Sequence, residues 1–388
     1  MSIATATPQE AEERAALISM VRDFAARHIA PVVEELDATE RFPEEIYKMM
    51  GSLGLFGVSV PEVDGGAGGT VSDYVAVMEE LSYGYASVAD QCGLVELVTS
   101  LLARYGTDDQ KSRYIPGLVS GELRASYALT EPQAGSDLGG VKTRARRDGK
   151  DWVLNGEKIY IHNAPVADVA MVLAVTDPTK GKRGGMSMFL VDTDVPGVER
   201  AYREKKMGQK ASPVGGFVFT DVRLPDAALL GEAGAGFSAV LHVLEKGRLG
   251  IGALANGISR AALDTALEHA TSRHQFGRPI ADNQAVAFEL ANMALDHRAS
   301  TLLLQRGADL IDRGEPANAA SSMAKLFASE AAIRNAGRAV QILGGAGYIR
   351  GVTAERLYRD ARITTIYEGT SEVQRLIISR DLIASRRS

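Results

Sequence analysis

The arrangement of apolar and polar positions divides the chain into three stretches. From residue 8 to about 123 the apolar residues recur at helical spacing. Ala11–Ile29 is an amphipathic run ending at Pro31, and Pro43–Leu53 is a shorter one with proline in its first turn. Glu62–Gly69 reads as a flexible loop. Ser72 is placed to cap a helix running to about Tyr83, a second apolar helix covers Ala86–Arg104, and Thr107–Gln110 is a capping-box pattern opening a further helix. Between Leu123 and Gly231 the pattern shortens to β segments: Arg124–Leu129, Val141–Arg147, Trp152–Leu154, Val169–Val175, Met186–Val191 and Gly216–Thr220. Turn signals fall at Asp148-Gly149, Asn155-Gly156, Asp177-Pro178 and Pro196-Gly197. No helices are interleaved, so a small antiparallel barrel or sandwich is expected rather than a parallel doubly wound sheet. Beyond Gly234 helical spacing returns over Phe237–Arg273, Asn283–Arg313 and Ala317–Leu343, each long enough for an element of a four-helix bundle. In the second of these, Val286, Leu290, Met293, Leu304, Ala308 and Ile311 form one stripe that includes His297, expected as a core or interface histidine. The predicted class is α+β: an N-terminal helical domain (1–123), a small β domain (124–232) and a C-terminal helical bundle (233–388).

Composition narrows the picture. At 388 residues the chain exceeds one ordinary core, and 45% hydrophobic with 24% charged residues is a globular balance. A net charge of -6 argues against a nucleic-acid partner. Local basic clusters at Arg144, Arg146 and Arg147, and at Arg203, Lys205 and Lys206, suit either a phosphorylated ligand or a solvated edge. No apolar run reaching membrane-span length is expected, and Met1–Glu13 lacks the features of a secretory signal. The single cysteine, Cys92, rules out an internal disulfide, and six scattered histidines offer no metal-ligand spacing. These features point to a cytoplasmic protein with no metal.

Two stretches carry candidate chemistry. In Arg362–Arg375 a carboxylate, Glu368, follows a mostly apolar run and precedes Gly369, whose missing Cβ leaves room for a ligand or backbone. Thr370 or Ser371 can cap the helix that follows. A carboxylate in apolar surroundings is raised toward neutrality, as a general base requires; the competing reading is a solvated loop glutamate. Tyr127–Asp137 places strand, hydroxyl, turn, glycine and hydroxyl in succession, giving a loop rich in donors for a pyrophosphate or heterocycle edge. Gly234–Ala239 matches the loose G-x-G-x-x-A pattern, but no clear strand precedes it and no βαβ unit follows, so nicotinamide binding is disfavoured. Gly344–Gly347 reads as a helix terminus, and Glu96, inside the apolar run Gly93–Val98, as a partly exposed helix position.

Tyr127–Asp137 and Tyr367–Arg375 resemble the two signatures of the acyl-CoA dehydrogenase family. Lys206–Ser212, Phe219–Pro225, Ser272–Gly277, Gln341–Gly345 and Glu355–Asp360 are similar to further family segments, in the same order along nearly the whole chain. The resemblance implies FAD-dependent oxidation of an acyl-CoA thioester to trans-2-enoyl-CoA. Glu368 would take the α-proton, a hydride would pass to flavin N5, and electron-transfer flavoprotein would accept the electrons. Some relatives carry the base on another helix, where this chain has Gly247, which favours Glu368. By position, Leu129, Thr130, Ser136, Tyr160, His162, Thr370 and Glu372 would contact FAD. Arg273, Phe276, Gln341 and Gly345 would contact the FAD of a neighbouring subunit, implying a homo-oligomer, a dimer of dimers. Ser136, Glu245, Arg248 and Gly369 would meet the substrate.

Three departures from the family pattern stand out. His162 replaces a small hydroxyl residue expected near flavin N5, Arg350-Gly351 and Thr353 replace a common Glu and Pro, and Gln133 stands where many relatives have glycine. His162 keeps open an acyl-CoA oxidase that uses O2. A dehydrogenase of carrier-protein-bound acyl groups and a non-catalytic acyl-thioester or FAD-binding protein also stay open.

Overall fold

A computed structural model describes residues 8–387. Helix α1 (Pro8–Phe24) does not stop at Pro31. It widens into a π turn at Ala25–Ile29, passes a 3-10 turn at Ala30–Val32, and continues as α2 (Val33–Thr39). The widened turn accommodates a proline that lacks an N–H and would crowd the carbonyl one turn back. Then follow α3 (Glu44–Ser52), α4 (Val71–Gly84), α5 (Ala86–Tyr105) and α6 (Asp108–Val119). Thr70, not Ser72, caps α4, because Asp73 stands at the position that completes a capping box with it. Ser72 lies inside the first turn and donates instead to Asp312, at 2.7 Å. The Thr107 capping box on α6 is as expected. By length and composition α5 could cross a bilayer, contrary to the sequence expectation, but 83% of its apolar window is buried inside the protein. It is a core helix.

The β strands are β1 (Ala125–Ala128), β2 (Arg144–Asp148), β3 (Asp151–His162), β4 (Val169–Val175), β5 (Met186–Asp192), β6 (Val198–Arg203), β7 (Val214–Leu224) and β8 (Leu229–Leu230). They form one eight-stranded sheet in the order β6-β7-β3-β2-β4-β5-β8, with β1 beside β4. The sheet is not a closed barrel, and β1 and β2 both run parallel to β4 while the other pairs are antiparallel. The reason lies in β4, which is buried on both faces. Ala170, Val172 and Ala174 join a core with Trp152, Phe189 and Phe217, whereas Val169, Met171 and Leu173 pack into the helical core. Asn155-Gly156, expected as a turn, is a bulge within β3, so that strand runs on to His162. The edge strand β6 lacks apolar alternation and gave no signal in the sequence.

Helix α7 (Gly236–Ser272) is 37 residues long and forms the axis of the second helical layer. A short hairpin of β9 (His274–Gln275) and β10 (Arg278–Pro279) leads to α8 (Gln284–Asp312) and α9 (Asn318–Leu343). Then come α10 (Thr353–Ala361) and α11 (Ser371–Ala384), the latter capped by Thr370. Alanines and glycines line α7 so closely that a Cβ on Gly257 would lie 2.5 Å from the Glu79 carbonyl on α4. On α8, Met293, Leu304 and Ala308 face this core as the stripe requires, and half-buried His297 bonds Asn256 through Nδ1 at 2.9 Å. The opposite face of α8 leaves Phe288, Leu295 and Leu302 exposed.

Candidate active site

Glu368 stands in the turn between the 3-10 segment Arg362–Thr365 and α11, with φ +54°, and Gly369 follows at +93°. A left-handed glutamate is strained and persists only where its surroundings hold it. Lys325 of α9, itself fully buried, does part of that by donating to the Gly369 carbonyl at 2.7 Å, while Gln374 donates to the same oxygen at 2.9 Å. Although the residue as a whole is only half-buried, its carboxylate oxygen Oε2 is out of contact with solvent and has no hydrogen-bond partner. Burial pushes the carboxyl up to about 7; Arg248 and Lys325 pull it back, and Asp90 adds to the rise. Lys325 in turn is pushed down to about 8 by burial, against the Glu368 charge. The Glu368 N–H has no hydrogen-bond partner among the described residues. On α7, a Cβ built at Gly247 would lie 2.9 Å from Glu368 Oε2, so the two positions converge on one point.

The neighbours divide by distance. Arg248 is buried on α7, bonded to Asn318 with its Nε unpartnered, and Glu245 beside it is raised by burial against the Arg248 charge. Leu129 and Thr130 follow β1 directly, and the Thr130 carbonyl accepts from Ile159 at 3.0 Å, which brings Tyr160 alongside. Tyr160 is 64% exposed at φ +56°, an aromatic ring held out toward solvent by strained backbone. Ser136 lies exposed in the loop after β1. Gln133 is accommodated there by donating to Glu131 at 2.5 Å. Arg273 lies 26 positions beyond Gly247 at the C-terminal end of α7, roughly 40 Å along the axis. Phe276 on the hairpin is 98% exposed, and Gln341 and Gly345 are exposed near the end of α9. One chain does not bring these four to Glu368.

Several functional candidates escaped the sequence. Glu96, expected at a partly exposed position, is buried and paired to Lys246 of α7 at 2.8 Å, because α7 supplies a cation that helical spacing alone cannot show. The partners of His162 escaped too: it sits with Asp90, Gln91 and Ser212. Its Nε2 lies 2.9 Å from Gln91 Nε2 and 2.6 Å from Ser212 Oγ, which donates to Asp90 at 2.7 Å. Burial lowers the His162 pKa against the pull of Asp90. Lys325 had a legible signal, a lone lysine on the small-residue face of Ser321–Ser329.

A raised carboxylate with a partnerless oxygen, set in a helix–sheet–helix scaffold, is chemically suited to proton abstraction. Residues 11–122, 126–222 and 234–383 match the acyl-CoA dehydrogenase N-terminal, middle and C-terminal domains. An acyl-CoA dehydrogenase of Bacillus subtilis (strain 168) is 43% identical over 96% of this chain and 98% of its own. The mitochondrial short-chain specific acyl-CoA dehydrogenase of Rattus norvegicus is 43% identical over 95% and 89%. The solved butyryl-CoA dehydrogenase of Megasphaera elsdenii superposes with a TM-score of 0.93 at 35% identity, covering 98% of this chain and 100% of that one. The chain belongs to the acyl-CoA dehydrogenase family, and its cofactor is FAD. The residues present fit that group: an exposed aromatic ring at Tyr160, hydroxyls at Thr130 and Ser136, and the α11 N-terminus suited to a phosphate.

Proposed function

We propose that this chain converts an acyl-CoA thioester to its trans-2-enoyl-CoA, with Glu368 as the base that takes the α-proton. The observation that carries the reading is the sheltered, partnerless Glu368 Oε2 with its pKa at about 7. At that value the carboxylate is available near neutral pH yet basic enough to take a proton. FAD, when bound, accepts the β-hydride, which with the α-proton makes up the two hydrogens removed. Removing the α-proton builds negative charge on the thioester oxygen, and the free Glu368 N–H is a donor for it. Arg248 and Lys325 keep the carboxylate ionised enough to act, and Gly247 leaves the space in front of it clear.

Leu129, Thr130, Ser136, Tyr160, His162, Thr370 and Glu372 hold the FAD of their own subunit, and Ser136, Glu245, Arg248 and Gly369 contact the substrate. Arg273, Phe276, Gln341 and Gly345 serve the FAD of a second copy, since about 40 Å separates the end of α7 from Gly247. The exposed Phe276 and the bare apolar face of α8 support a homo-oligomer in which each site needs two chains. Electron-transfer flavoprotein takes the electrons onward, in keeping with the family. Anaerobic titration of the yellow holoenzyme with acyl-CoAs tests the reading. Bleaching of the flavin by wild type and its absence in Glu368→Gln supports it; bleaching by both assigns the base elsewhere.

A further inference from the structure

Beside Gly247 a slot opens away from the Glu368 carboxylate, lined by Tyr74, Glu96, Leu97, Val243, Lys246 and Gly247. Leu97 Cδ1 lies 3.6 Å from where a Gly247 Cβ would be, so slot and carboxylate meet at that glycine. The slot is too narrow for a water-sized sphere to sit freely in it, so an acyl chain entering it must displace lining side chains.

The lining is apolar at Leu97 and Val243 but includes an ion pair. Glu96 Oε1 accepts from Lys246 Nζ at 2.8 Å and from the Ser59 hydroxyl at 2.5 Å, and the Ser59 N–H points at the same carboxylate. Lys246 Nζ also lies 2.6 Å from Ser100 Oγ and 2.8 Å from Ser59 Oγ, so its three donors are in use. Lys246 therefore has no spare donor for a negatively charged acyl end. The pair also resists displacement, because parting a buried pair leaves two uncompensated charges, whereas an apolar lining residue can simply turn aside.

We propose that the Glu96–Lys246 pair limits the length of the acyl slot, making this enzyme selective for short acyl groups without a terminal charge. The proposal rests on Glu368 being the base, since that fixes which end of the slot holds the reacting carbons. In an open apolar pocket each added methylene strengthens binding about fourfold. Here that gain should be lost and reversed between butyryl and octanoyl groups.

The test measures kcat/KM with electron-transfer flavoprotein, and binding to Glu368→Gln holoenzyme by flavin spectral perturbation, for acetyl- to decanoyl-CoA and glutaryl-CoA. The wild type is expected to prefer butyryl- over octanoyl-CoA at least tenfold in both readouts and to reject glutaryl-CoA. In Glu96→Leu/Lys246→Met, which replaces the pair with apolar groups of similar size, the octanoyl-to-butyryl ratio should rise at least tenfold. Leu97→Ala widens the slot without touching the pair and should shift the ratio less. Equal use of butyryl- and octanoyl-CoA by the wild type overturns the proposal whether or not the variants fold. So does an unchanged ratio in a double variant that retains its flavin. Failure of every acyl-CoA to bleach wild-type flavin would instead count against the dehydrogenation reading itself.

Discussion

Glu131 and Glu368 are both sheltered carboxylates beside a buried lysine, and they are put to opposite uses. Glu131 is saturated: Lys158 Nζ lies at 2.8 Å, and the Lys142 and Thr143 N–H groups at 2.6 and 3.0 Å. Burial pushes its pKa up, but Lys158 and these hydrogen bonds more than offset that, and the net shift is down. Lys158 also donates to the Leu129 carbonyl at 2.9 Å, so the pair ties the start of the Thr130–Asp137 loop to β3. Glu368 also has a lysine close by, but Lys325 donates to the Gly369 carbonyl and makes no hydrogen bond to Oε2. A buried charge with every acceptor filled fixes backbone; one whose sheltered oxygen accepts nothing is left chemically available. The difference is one of hydrogen-bond direction, not of residue type.

The largest effect that tests this contrast is on turnover. Glu368→Gln should lower the rate of flavin reduction on the order of 10³-fold, measured by anaerobic stopped flow. Next come two stability effects of opposite sign. Lys158→Met should cost about 3–5 kcal/mol in urea unfolding by stranding Glu131, and adding Glu131→Gln should recover much of it. Because the folded-state pKa of Glu368 is raised to about 7, folding loses stability as pH climbs from the ordinary carboxylate range through 7. Glu368→Gln should therefore gain on the order of 1–3 kcal/mol at pH 8 and little at pH 4. Equal gains at both pH values would remove the argument from desolvation.

Smaller again is the pH profile. kcat/KM should rise with pH to about 7 and then level. In Lys325→Met the midpoint should move higher, since that cation holds the Glu368 carboxyl down. The smallest expected effect belongs to His162, whose ring is tied to Gln91 and Ser212. His162→Thr should alter the rate at which air reoxidises the reduced flavin, and identical rates would show that the ring does not govern oxygen access.

Much of the site was legible because its parts are local in sequence. Glu368, Gly369 and the Thr370 cap lie within three residues, and the Thr130–Ser136 loop is one continuous segment. The long helices were legible too, since α7, α8 and α9 begin and end within a residue or so of their periodic patterns. The errors came where a local signal has two structural outcomes. Asn-Gly within a strand reads as a turn but here is a bulge, and Pro31 reads as a stop but is absorbed by a π turn.

The sequence by itself determined the three-stretch layout and the family, because these depend on residue type and spacing along the chain. Only the tertiary structure decided which charges are paired. Glu96 and Lys246 stand 150 residues apart and Asp90 and Ser212 are 122 apart, so no local periodicity along the chain could have joined them. Glu368 is a raised, sheltered carboxylate rather than a solvated loop glutamate because α7 and α9 enclose it while giving Oε2 no hydrogen bond.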